Sequence, residues 1–284
     1  MKRWLILLLA VVALTGCKRF NALEKSNDYE YKYEVAKQYF FEGHYVKASL
    51  LFGELLAVMK GTINGEESLY LLAMSSFMCK DYESSAQYFK KYYQSYPKGQ
   101  YVEYARYYSG YALYLKAPDP RLDQSNTYLA IQEFQQFLDY YPYTRLKSET
   151  HEMIYALQDR LVEKEYLSAK LYYDLGDYVG NCLSGGSNYE ACIVTSQNAL
   201  RDYPYASNEM REKFSILVLR SKYYLAMKSV EEKREQRFRD AIDEYFSFAG
   251  DYPESKYMDE ARQMHANAVR IVDKKHIDIT KKEE

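Results

Sequence analysis

The stretch YLAIQEFQQFLDYYP, residues 128–142, decides the fold, because the chain writes it again at four other places. Within it Ala130 is followed by Phe134 four residues on, by Phe137 seven on and by Pro142 twelve on. A helix gathers the first three on one face, and the proline stops it, since its ring removes a donor and crowds the preceding turn. The same register fits Ser85, Phe89, Tyr92 and Pro97, then Ala241, Tyr245, Phe248 and Pro253, and more loosely Cys192, Ser196, Ala199 and Pro204. A first copy, Ala48, Phe52 and Leu55, lacks the proline. All five anchors are small and four of the five copies end in Tyr-Pro, so the chain reads as a repeat array in which each unit packs on its neighbours.

Working outward, each copy is the second helix of a pair. Helices are expected over residues 29–42 and 45–59, turning at Gly43-His44, with Gly61 and Gly65 closing the second. The next pair covers 66–79 and 82–96 and turns at Lys80-Asp81. A third begins at 100–115 and resumes near Thr127, because Pro118 and Pro120 forbid helix between them. The longest helical stretch, 146–175, ends at Gly176, and glycines 180, 185 and 186 make a loop before Asn188. A last pair at 208–228 and 233–249 leads into a capping helix at 255–272 and a charged tail at 273–284. The fold class is therefore all-α, about five helix pairs plus a C-terminal cap, with repeats 1–3 in residues 29–142 and repeats 4–5 with the cap in 143–272.

Composition excludes more than it assigns. Net charge is −2 over 284 residues, which gives no electrostatic case for nucleic acid. Thirty-four tyrosines stand against one tryptophan. Tyrosine suits half-buried helix pairs, its ring packing while its hydroxyl reaches a polar partner, and most are expected to be packing residues. The four histidines are scattered, and His151-Glu152 lacks the second histidine that a zinc helix needs. There is no phosphate-binding loop and no nucleophile elbow, and Asp243-Glu244 is one acidic pair among many, so neither an enzyme, a metal nor a cofactor is expected. Cys182 and Cys192 are near enough in sequence to bridge, but Cys192 fills a small-residue anchor, where a buried free thiol is the favoured reading.

The N-terminus carries an address. Lys2 and Arg3 precede an apolar run from Trp4 to Leu14, shorter than the ~20 residues a membrane span needs, which fits a secretory signal. Leu14-Thr15-Gly16-Cys17 resembles the lipobox of bacterial lipoproteins. That resemblance implies removal of residues 1–16 and a lipid on Cys17, against an ordinary signal peptide with an incidental cysteine; Lys18 after it implies sorting to the outer membrane, and the lack of an acidic cluster close after Cys17 favours the periplasmic side over the cell surface. Residues 17–28 are then a lipidated tether.

Ala36 and Ala73 lie twelve residues before the anchors Ala48 and Ser85, and Tyr45, Tyr82 and Tyr189 three before theirs, which resembles the tetratricopeptide repeat and implies a superhelix. From Pro118 to Asn181 the likeness narrows. A prolyl loop, a repeat ending in Tyr-Pro and a long helix with Leu157, Asp159, Arg160 and Leu161, then Glu165, Tyr166, Ala169, Tyr172 and Tyr173 before Gly176 and Tyr178, resembles the BamD family, the lipoprotein subunits of the outer-membrane β-barrel assembly machinery. The glycine loop near Gly185 and the charged run from Glu231 to Arg239 depart from the enterobacterial pattern.

The resemblance implies a non-enzymatic scaffold anchored by lipid alone, whose partners are the barrel insertase subunit and unfolded outer-membrane proteins. The repeat register places a client groove on Tyr33, Lys37 and Phe40 of the first pair and on Tyr70, Met74 and Phe77 of the second, rings for an aromatic chain end and Lys37 for its carboxylate. Packing between helices is an equal reading for Tyr70, Met74 and Phe77. Insertase docking is expected on Arg211, Lys213 and Arg220, with a solvated charged face as the competing reading. A glycan-binding or cell-wall-coordinating repeat lipoprotein is the alternative function; the scarcity of tryptophan speaks against the first and residues 118–181 against the second.

Overall fold

The computed structural model describes residues 20, 23, 25–178 and 187–283, with side chains as far as 274. Cys17, Cys182 and the glycines at 180, 185 and 186 lie outside the described residues. Within them the fold is all-α and contains no strand. Its helices are α1 (Tyr29–Phe41), α2 (Tyr45–Val58), α3 (Ile63–Met78), α4 (Tyr82–Ser95), α5 (Val102–Lys116), α6 (Ser125–Tyr140), α7 (Lys147–Leu175), α8 (Asn188–Asp202), α9 (Asn208–Met227), α10 (Glu231–Asp251) and α11 (Met258–Glu283). Taken in order they make five tetratricopeptide-like pairs and a cap. The chain divides into two compact units, Met1–Pro118 with Asp123–Leu157, and Asp119–Leu122 with Gln158–Glu284.

The anchor register holds at every copy. Ala48, Ser85, Ala130 and Cys192 are wholly buried and Ala241 nearly so, as are Phe52, Phe89, Phe134 and Ser196 one turn later; only Tyr245 is half-exposed. Small residues are required there because a helix backbone crosses them. Ser85 donates its hydroxyl to the carbonyl of Ala73, twelve residues back on α3, at 3.0 Å. Gly110 of α5 brings its backbone so near α6 that an added Cβ would lie 2.7 Å from a ring carbon of Phe134.

Each Tyr-Pro ends its helix in the same way. Tyr96, Tyr141, Tyr203 and Tyr252 have φ between −120 and −134° and ψ between 60 and 68°, outside the helical basin from which the following proline excludes them. The N–H of each still donates to the carbonyl of Tyr92, Phe137, Ala199 or Phe248, the third residue of its copy. The turns inside pairs use left-handed residues, Gly43 at φ 82° and Lys80 at φ 63°, and Asp81 then caps α4 by accepting from Ser84 N–H at 3.2 Å.

Several boundaries differ from the sequence reading. Gly65 does not close α2; it sits in the first turn of α3, where Thr62 accepts its N–H at 3.0 Å and a Cβ would lie 1.9 Å from the Met59 carbonyl oxygen. Its bareness serves a tight helix-to-helix turn rather than a stop. α10 begins at Glu231, whose charged run fills its opening turns. α11 continues through the charged tail to Glu283 instead of ending at Val272.

The tyrosines are joined more specifically than packing alone requires. The Tyr33 hydroxyl of α1 donates to Glu67 of α3, Tyr92 of α4 to Glu66 of α3 at 2.6 Å, Tyr93 of α4 to Glu133 of α6 at 2.9 Å, and Tyr107 of α5 to Glu149 of α7 at 2.9 Å. Glu133 is buried and also accepts from Lys90 at 2.9 Å and Ser109 at 3.1 Å, so its charge is fully partnered. Burial, and next the carboxylate beside each hydroxyl, raise these phenols well above the usual tyrosine range.

Candidate partner-binding surfaces

The client-groove residues of α1 form a closed polar knot. Tyr33 has a relative exposure of 3%, because the neighbouring pair covers it. Its hydroxyl meets Glu67, one turn before Tyr70 on α3, and Lys37 Nζ lies 3.2 Å from Glu67, 3.3 Å from the Tyr33 oxygen and 5.0 Å from the Tyr33 ring centre. Burial, then the hydrogen bond to Glu67, push the Tyr33 phenol to about 12. Burial works against the Lys37 ammonium, but the bonds to Glu67 and Tyr33 outweigh it and raise its pKa. Lys37 stays about a quarter exposed. Phe40 is half-buried, its ring 5.5 Å from Tyr45 and 5.6 Å from Phe41.

The α3 residues belong mainly to the packing between pairs. Tyr70 stacks on Tyr101 at 4.3 Å and 15° and meets Phe89 and Tyr92 edge-on. Met74 and Phe77 pack on the same buried cluster, with Phe77 5.3 Å from Tyr108. All three remain partly exposed. The six residues therefore lie along neighbouring first helices, with Tyr33 enclosed. Glu67, which the repeat register did not single out, is the hub of the α1–α3 contact; its place one turn before Tyr70 was the available signal.

A groove of about 690 Å³ lies where α5 begins and α6 ends, lined by Glu103, Tyr104, Tyr140 and the segment from Tyr141 to Leu146. Tyr104, Tyr140 and Tyr143 are exposed beside it, and Arg106 is held between rings, 3.7 Å from the Tyr140 centre and 4.3 Å from Tyr93. Thr144 donates to Glu103 at 2.6 Å and fixes the loop after Pro142. Sequence reasoning took this Tyr-Pro as a helix stop only.

On α9 the three docking candidates are not one patch. Arg220 makes a bidentate pair with Glu260 of α11, Nε to Oε1 at 2.8 Å and a terminal nitrogen to Oε2 at 2.5 Å, over the Tyr257 ring. Lys213 pairs with Glu209 one turn back at 2.7 Å. Arg211 is half-buried and makes no ion pair shown among the described residues. Lys222 and Glu244 join α9 to α10 at 2.5 Å, and Arg237 and Glu190 join α10 to α8 at 2.6 Å. Much of the charge here is spent on holding the helices of this unit together.

Cys192 is a buried free thiol, its Sγ 3.9 Å from Ser196 Oγ, and burial raises its pKa; Cys79 is exposed. Among the described residues no cluster of three or more His, Cys, Asp or Glu is arranged to hold a metal, and no helix is long and apolar enough to cross a membrane.

Comparison with known proteins places this arrangement. The family described as outer membrane lipoprotein, YfiO, matches residues 25–184, which carry α1 to α7. The outer membrane protein assembly factor BamD of Rickettsia prowazekii (strain Madrid E) is 24% identical over 128 residues, 45% of this chain and 51% of the relative. The chain thus matches about half the length of that curated relative. With the family matched across more than half of its residues, the chain belongs to the YfiO family of outer membrane lipoproteins and is BamD-like.

Proposed function

We propose that the protein is a non-enzymatic scaffold of the β-barrel assembly machinery, lipid-anchored through Cys17 on the periplasmic face of the outer membrane. The observation that carries this reading is the family match over residues 25–184, joined to the assembly-factor name of the relative. In it the first three pairs meet unfolded outer-membrane protein segments, and the C-terminal pairs dock the barrel insertase. Half-buried rings from Phe40, Tyr70 and Phe77, with the Met74 thioether, offer apolar contact, and Lys37 offers a cation already held by a carboxylate. A client carboxylate there exchanges with Glu67, so that Lys37 is never left unpaired.

Purification of the tagged protein from its native membranes in a gentle detergent tests the assignment. Recovery of a β-barrel insertase is the expected result; retention on polysaccharide without one overturns it. For the client face, Lys37→Met keeps the aliphatic stem and removes the charge, and weaker binding of a C-terminal barrel peptide is expected. Unchanged affinity removes Lys37 from the face. For docking, Arg220→Glu alone faces Glu260 and strains the fold, so the swap Arg220→Glu with Glu260→Arg is the informative variant. Loss of the insertase at an unchanged melting temperature assigns docking to Arg220; a retained complex leaves Arg220 as a tie between helices.

A further inference from the structure

The outer face of α2 is unlike that of any other second helix. Positions two before and two, five and nine after its anchor, which share one helical face, hold Val46, Leu50, Gly53 and Ala57. All four are exposed, Val46 at 64% and Leu50 at 50%. In α4 the same positions hold Glu83, Gln87, Lys90 and Gln94, and each of the remaining second helices carries at least two polar residues there. Phe41, 75% exposed, stands just ahead of this stripe and Lys60 just after it. Nothing among the described residues covers it.

What lies near it is the anchor. Phe20 is buried between the end of α1 and the start of α2, its ring 5.9 Å from that of Tyr39 on α1, with Lys47 Nζ of α2 5.9 Å from Phe20 and 5.1 Å from Tyr39. Cys17 is three residues earlier. An extended chain spans at most ~3.6 Å per residue, so the lipidated backbone lies within about 11 Å of Phe20. Lys47 adjoins Val46, and α2 rises about 16 Å from Val46 to Ala57. The tether is therefore too short to hold the bilayer away from this end of the helix. We infer that the outer face of α2 rests on the phospholipid surface to which Cys17 is tied, with Val46, Leu50 and Ala57 at the level of the headgroups and exposed Lys60 toward their phosphates. One side of α2 already serves the core through Leu51, Phe52 and Leu55, and the apolar residues of the other side need only a shallow depth of ~5–10 Å at the headgroup boundary. The inference rests on the lipid anchor proposed above.

The chain offers a clean probe, since Trp4 is its sole tryptophan and the expected mature protein has none. Lipidated Leu50→Trp and Tyr143→Trp proteins are reconstituted in phosphatidylethanolamine and phosphatidylglycerol vesicles with plain or dibrominated chains. Bromine in the outer acyl region should quench the Leu50→Trp emission and leave Tyr143→Trp, beyond the end of α6, unchanged. Ala57→Trp on the same face repeats the reading should Leu50→Trp disturb the fold. Proteins that float with the vesicles but show no quenching at either α2 position overturn the inference and leave the anchor standing. Blue-shifted, unquenched emission puts a protein surface on the face and equally overturns it. Failure to float removes the anchor, and the inference with it.

Discussion

Replacing Gly110 by alanine sets two effects of known size against each other. In an exposed helix the change is worth ~1 kcal/mol of stabilisation, because glycine loses more backbone freedom on folding. In α5 the new Cβ would lie 2.7, 2.9 and 3.2 Å from Cδ1, Cε1 and Cγ of Phe134, well inside ordinary carbon contact. Phe134 is fully buried and packs among Ala130, Phe137, Tyr107 and Leu157, so its ring has nowhere to go. Overpacking of that kind costs ~1–3 kcal/mol, and the rigidity of the neighbours argues for the upper half. The net expectation is a loss of about 1–2 kcal/mol. Gly53→Ala on α2, where a Cβ meets nothing within 4 Å, is the counterpart and should gain ~0.5–1 kcal/mol. Urea unfolding followed by far-ultraviolet circular dichroism reads both as shifts of midpoint at constant slope. Were Gly110→Ala to raise the midpoint as Gly53→Ala does, α5 and α6 could not approach as described, and the small-residue account of the repeats would fail.

Three further outcomes are expected. Ala130→Leu forces volume into the same cluster and should cost ~1–3 kcal/mol, whereas exposed Gln135→Leu should stay within ~0.5 kcal/mol in the same melt; equal effects would refute the register. Cys17→Ser should move the protein from membranes to the soluble periplasm on fractionation, and continued membrane association would point to a second attachment. The Tyr33 phenol, pushed up to about 12, holds its proton longer in the fold than in the unfolded chain. Its contribution to stability is therefore complete below pH ~10 and lost as pH rises through about 12. Ultraviolet titration of wild type against Tyr33→Phe should lack one such late phenol, and loss of one that titrates near ~10 would contradict the buried pairing with Glu67.

The parts of this fold that were legible in the sequence are those written locally. Anchors such as Ala130 and Cys192 stand out because a close helix crossing excludes large side chains, and the Tyr-Pro stops because proline acts on its own neighbours in the chain. Gly65 misled because a glycine that ends a helix and one that lets a carbonyl approach look alike in a string. The binding candidates were harder for a different reason. Tyr33 and Lys37 were placed on the right helix, but their partner Glu67 lies on the next pair, and Arg220 meets Glu260 across 40 residues. Local periodicity says which way a side chain points; it says nothing about which opposite charge arrives from a neighbouring repeat, and that decides whether a cation is offered to a partner or already taken.

The tyrosine–carboxylate bonds also bear on how such an array changes over time. Tyr33 and Glu67 are 34 residues apart, Tyr93 and Glu133 are 40, and Tyr107 and Glu149 are 42, so each bond joins one helix pair to the next. A joint made of leucines accepts almost any apolar neighbour, but one made of a phenol and a carboxylate accepts only its complement. Duplicating or transplanting a single pair from this chain would leave a donor on one side and an acceptor on the other without mates. The module that can be inherited, shuffled or grafted whole is therefore the boundary between two repeats, with half of each attached, rather than the repeat that the sequence displays so openly.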